Sequence, residues 1–82
     1  MKFNMGDDVY WYSQAAGHVK HKEGSIVEIV AAGDKPKLME IEPWVKARNH
    51  ESYVVWVKSK LYWPLVRNLN LSHRSIAPTM VL

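Results

Sequence analysis

The clearest pattern in the chain is a period-two alternation over Glu51–Lys58, where Tyr53, Val55 and Val57 share one face and Val54 and Trp56 the other. This predicts the strongest strand. Lys58-Ser59-Lys60 is short and polar, which predicts a tight hairpin returning into Leu61-Tyr62-Trp63. Pro64 has no N–H to give a ladder, so that strand ends there or lies on an edge. Leu65–Leu69 predicts a short 3₁₀ turn ahead of a last strand. In the first half, Gly6-Asp7-Asp8 is a turn signal leading into Val9-Tyr10-Trp11-Tyr12, a run of strand-forming residues. Val9 and Trp11 face one way and Tyr10 and Tyr12 the other, so partial cover on both sides is expected. Ser13–Glu23 reads as a polar loop. Gly24 then opens Ser25–Val30, where Val27 and Ile29 alternate with Glu28, a strand with one wet face near its middle. Ala31–Pro36 is a turn cluster. Over 37–51 the pattern fits either short strands broken at Pro43 or one amphipathic helical turn, and it does not decide between them.

Four or five short strands, a tight hairpin and a 3₁₀ turn predict an all-β fold: a small closed barrel of about five strands. At 82 residues the chain is one domain. Residues 1–72 form the expected barrel and 73–82 a tail, which starts polar and ends apolar from Ile76 to Leu82. A domain this short buries only about 60% of its unfolded surface. No internal repeat is present.

Gly6-Asp7-x-Val9, the loop carrying Gly17, and Gly24-Ser25-Ile26-Val27 resemble the opening hairpin of the KOW, Tudor and related SH3-like barrels. In those families a glycine lets the first strand turn sharply into the second. Ser52-Tyr53-Val54-Val55 with Leu61-Tyr62-Trp63-Pro64 is similar to their last hairpin. The resemblance spans about residues 5–71, with 34–50 fitting poorly, and it implies a fold more than a function. As a whole the chain is also similar to small bacterial proteins, some carried on mobile elements, a likeness that implies no activity. A second resemblance is to the type II dihydrofolate reductases, SH3-like chains that begin Gly-Asp-x-Val and bind substrate in a pore shared by four copies. Their catalytic strand reads Val-Gln-Ile-Tyr. Here the matching stretch is Lys60-Leu61-Tyr62-Trp63, which lacks the glutamine, so no catalytic residue carries over.

Nine aromatic residues are the unusual part of the composition: four Trp, four Tyr and Phe3. They exceed what a thin core readily hides, which points to an oligomer interface or a ligand site. The chain has no cysteine, which excludes disulfides, thiol nucleophiles and thiolate metal sites. His18-x-x-His21 offers two imidazoles where a metal site wants three or four ligands, so no metal or cofactor is expected. His50, Glu51 and Ser52 are strand neighbours and cannot converge as a triad. There is no Walker-type phosphate loop. Asp7-Asp8 reads as a turn rather than an acid/base pair.

The net charge of +3 is unevenly spread, with residues 1–42 holding five Lys/Arg against seven Asp/Glu, and residues 43–82 holding six against Glu51 alone. Such a field can steer a polyanion. The candidate ligand-binding surface therefore comprises Tyr62, Trp63 and Trp56 flanked by Lys58, Lys60 and Arg67. Aromatic faces there would stack on bases and the cations would hold phosphates. The same residues would equally cage a cationic side chain or take a proline-rich peptide. The expected function is a non-catalytic binding module, first for a protein or peptide partner, self-association included, and second for nucleic acid. The first residues lack the apolar run of a signal peptide and no window approaches a membrane span, so a cytoplasmic location is expected.

Overall fold

The computed structural model describes residues 3–72. It is all-β: β1 (Asp8–Ala15), β2 (His18–Val30), β3 (Ser52–Val57), β4 (Lys60–Tyr62) and β5 (Asn70–Leu71), with one 3₁₀ turn at Val66–Asn68. The strands form one antiparallel sheet in the order β4-β3-β2-β1-β5. No pairing joins β4 to β5 among the described residues, so the expected closed barrel is an open sheet. The apolar tail expected over 76–82 lies outside the described residues. No helix among them is long and apolar enough to cross a membrane.

Two hairpins turn on two residues each. Ala16 and Gly17 have φ of 52° and 80°, and Lys58 and Ser59 have 45° and 72°. Two successive positive φ values match the right-handed twist of the flanking strands. Gly17 takes this conformation freely, whereas Ala16, Lys58 and Ser59 each hold it at a cost of about 1–2 kcal/mol. The first hairpin corrects the polar loop expected over Ser13–Glu23. That segment is an arm in which β1 and β2 pair from Asp8↔Ser25 to Ala15↔His18. Its side chains are exposed on both faces towards the tip, so no alternation of burial marks it.

One core cluster holds Phe3, Val9, Trp11, Ile26, Tyr53, Val55, Val57 and Leu69, with Tyr62 and Val66 packed against it. Tyr53, Val55 and Val57 share the face that the alternation assigned to them. Tyr10 is half-buried and Tyr12 exposed, so β1 is covered on its Val9–Trp11 face. On β2 the buried residues are Ile26 and Val30 rather than Val27 and Ile29. A β-bulge separates Ile26 from Val30: Ile26 pairs with Val55 and Glu28 with Val54, leaving Val27 as the extra residue, so Ile26 lies on the Val55 face and Val30, opposite Ser52, on the other. Gly24 sits inside β2 rather than at a turn. A Cβ there would meet the Trp56 carbonyl oxygen, which makes the glycine the point of closest approach between β2 and β3.

The connection 31–51 forms neither of the alternatives open for it. It contains no strand or helix and is tied by single bonds. The Gly33 N–H donates to the Arg48 carbonyl at 2.8 Å. The Lys37 and Leu38 N–H groups both donate to the Glu28 carboxylate. Pro36 is buried while Leu38 and Trp44 stay exposed.

Candidate functional site

Strand alternation separates the six residues of the expected surface. Tyr62 pairs with Val55 and therefore faces the core side, while Leu61 pairs with Trp56 on the opposite side. Trp63 follows onto that opposite side, where its Nε1–H donates to the Ser52 hydroxyl at 2.8 Å. Arg48 covers Trp63, its guanidinium carbon 3.9 Å from a Trp63 ring centroid. The same guanidinium donates to the Trp63 and Pro64 carbonyls at 2.9 and 2.7 Å. Burial lowers the Arg48 pKa from its ordinary value, and a guanidinium remains charged regardless. Trp63 is thus a clamped structural anchor, and Arg48 is its unforeseen partner. Trp56 is 46% exposed, and Arg67 is exposed on the 3₁₀ turn.

Tyr62, Lys58 and Lys60 do come together. With His21, Lys22, Glu23 and Val57 they line a notch of about 510 Å³ between the arm and the tip of the β3–β4 hairpin. The Tyr62 ring packs edge-on to Trp11 at 5.8 Å, and Lys22 Nζ stands 4.7 Å from its centroid. That ammonium occupies a ring face on which a base would stack. Glu23 accepts a hydrogen bond from the Ser72 hydroxyl.

A second concavity, of about 480 Å³, lies where the arm meets the segment before β5. It is lined by Trp11, Tyr12, Ser13, Gln14, Val19, Pro64, Leu65 and Asn68. Tyr12, Val19 and Leu65 are 58%, 62% and 44% exposed. Arg48 fixes this groove from behind through the Pro64 carbonyl. The sequence does not signal it, because Ser13–Val19 carries the composition of a loop, where side chains have no defined facing. Tyr12 also packs with Tyr10 and His21 at centroid distances of 6.1 and 5.3 Å, which steadies its ring.

His18 and His21 are three positions apart on β2 and so point to opposite faces, where they cannot share a metal ion. No group of three or more metal-binding side chains occurs among the described residues. Asp7 closes a turn, its carboxylate accepting from the Asn4 N–H, and Asp8 accepts from the Ser25 hydroxyl. His50 contacts Asn49, and Glu51 accepts from the Tyr53 hydroxyl at 2.6 Å.

No protein-family model matches the chain, and neither a curated protein nor a solved structure matches it. The functional reading therefore rests on the geometry of the chain itself.

Proposed function

We propose that the chain is an SH3-like, non-catalytic binding module that takes an extended peptide in the groove between the β1–β2 arm and Pro64–Asn68. The observation that carries this is the groove's composition: exposed Tyr12, Val19 and Leu65 beside Trp11 and Pro64. A channel that sets Tyr12, Val19 and Leu65 beside the polar groups of Ser13, Gln14 and Asn68 suits a polyproline-II segment, which enters already ordered and offers free carbonyls to such groups. The antiparallel strand order β4-β3-β2-β1-β5 and the 3₁₀ turn before β5 support the SH3-like assignment.

The test is titration of the isotope-labelled chain with a proline-rich peptide, followed by nuclear magnetic resonance. Shifts are expected at Trp11, Tyr12, Val19, Leu65 and Asn68. Tyr12→Ala and Leu65→Ala should each weaken binding about tenfold, the effect of losing one apolar anchor. Shifts confined to other residues, or variants that bind normally, would refute the reading.

A further inference from the structure

β2 is longer than its partner on the β3 side. It pairs with β1 along its first half, but its pairing with β3 begins only at Ser25. Over His18–Lys22 the outer edge of β2 has no partner strand among the described residues. These five residues offer a lane about 16 Å long. The lane continues the line of β3, which leaves it at the Lys58–Ser59 turn. An edge of this kind presents alternating N–H and C=O groups that an extended chain can pair with.

The charges around the lane are predominantly positive, with three lysines against the Glu23 carboxylate at its inner end. Lys22, Lys58 and Lys60 line the notch at its inner end, and Lys20 projects from the lane itself. The hairpin turn that carries Lys58 is held in the left-handed region without a glycine. Glu23, the carboxylate in the notch, is engaged by Ser72.

From the free edge and its lysines we infer a second binding site, adjoining the groove at Val19, that adds an acidic extended peptide as a sixth strand beside His18–Lys22. The charge pattern selects this occupant. A second copy of the arm would set Lys20 and Lys22 against their own kind, which is unfavourable. A nucleic acid would satisfy the ammonium groups and the edge N–H groups, but its acceptor-only phosphates would also face the edge carbonyls. An acidic peptide supplies N–H groups for those carbonyls and carboxylates for the lysines.

The experiment uses the full chain and a labelled heptapeptide of alternating valine and glutamate. Binding should appear by fluorescence anisotropy, with amide shifts and slowed hydrogen exchange centred on residues 18–22. The double variant Lys58→Asn and Lys60→Gln keeps a left-handed-tolerant residue in the turn and should weaken binding at least tenfold. The same peptide N-methylated at alternate residues, so that one edge cannot donate, should lose binding to a similar degree. The groove variant Leu65→Ala should leave this affinity unchanged, which keeps the two sites distinguishable. Equal binding of the methylated peptide would overturn the inference by reducing the site to charge alone. Tighter binding of an oligothymidylate through the same lysines would overturn it in favour of a nucleic-acid groove.

Discussion

Arg48→Ala removes a side chain that holds three things at once. Its guanidinium donates to two successive carbonyls, Trp63 at 2.9 Å and Pro64 at 2.7 Å, and stacks on the Trp63 ring at 3.9 Å. Hydrogen bonds to a charged donor contribute about 1.5–3 kcal/mol each when sheltered. Arg48 is only half-buried, so solvent screening and water replacement bring the pair to about 1.5–2.5 kcal/mol. The cation–π contact adds about 0.5–1 kcal/mol at such a site. The sum is a loss of about 2–3.5 kcal/mol, a large share of the stability of a small domain. The backbone bond from Gly33 to the Arg48 carbonyl survives the substitution, so the connection 31–51 stays tethered and the effect reports the side chain. Urea unfolding followed by tryptophan fluorescence measures it. Arg48→Lys gives the sharper comparison. A lysine keeps the charge but cannot span both carbonyls while lying flat on the ring, so it should recover less than half of the loss. An Arg48→Ala loss under about 0.5 kcal/mol, or full recovery by lysine, would refute the clamp.

Gly24→Ala should destabilise the fold by more than about 2 kcal/mol in the same assay, because the new methyl meets the backbone Trp56 oxygen, which cannot move aside without breaking the β2–β3 ladder. A neutral result would show that the two strands separate there at little cost. The Tyr53 hydroxyl is pushed above its ordinary pKa, chiefly by burial and then by its bond to Glu51, with the Phe3 N–H opposing. The folded state therefore holds this proton longer than the unfolded state does. Its contribution is complete below the unfolded pKa of about 10 and is lost as pH rises towards the folded value. Stability measured from pH 9 to 11 should fall, and Tyr53→Phe should flatten that fall.

The parts of the fold legible in the sequence are those that the core covers. Tyr53, Val55 and Val57 pack into the core cluster and Ser52 and Val54 are buried on the other face, so the β-branched and aromatic run marks the strand directly. The β3–β4 turn and the 3₁₀ turn before β5 were legible because Lys58–Lys60 is too short for anything but a hairpin and Pro64 ends β4. The arm was not legible as strand because it runs beyond the core and has nothing to bury; its one signal was Gly17 between two segments of equal length. The bulge at Val27 breaks strict alternation on β2, so Ile26 and Val30, an even number of positions apart, are buried on opposite faces. Tyr62 and Trp63 were grouped as neighbours, yet adjacent strand residues point apart, and that rule alone would have split the candidate surface. Arg48 carries no periodic signal at all, since its partners lie 15 and 16 positions away across a loop.

The two neighbours of β1 differ in how the chain reaches them. β2 returns after a two-residue turn, while Asn70 meets Tyr10 across a separation of 60 positions and adds only two residues to the ladder. The contacts of the arm are local and close on the microsecond timescale of a hairpin, whereas β5 has to close the longest loop. β5 gains the least pairing for the greatest loop-closure entropy, so it docks last and opens first. Each such opening uncovers Leu69 and the outer edge of β1 beside Val9 while the rest of the sheet stays intact. The weakest point of the domain is therefore a brief local unzipping at Asn70–Leu71, an opening that costs far less than the loss of β3.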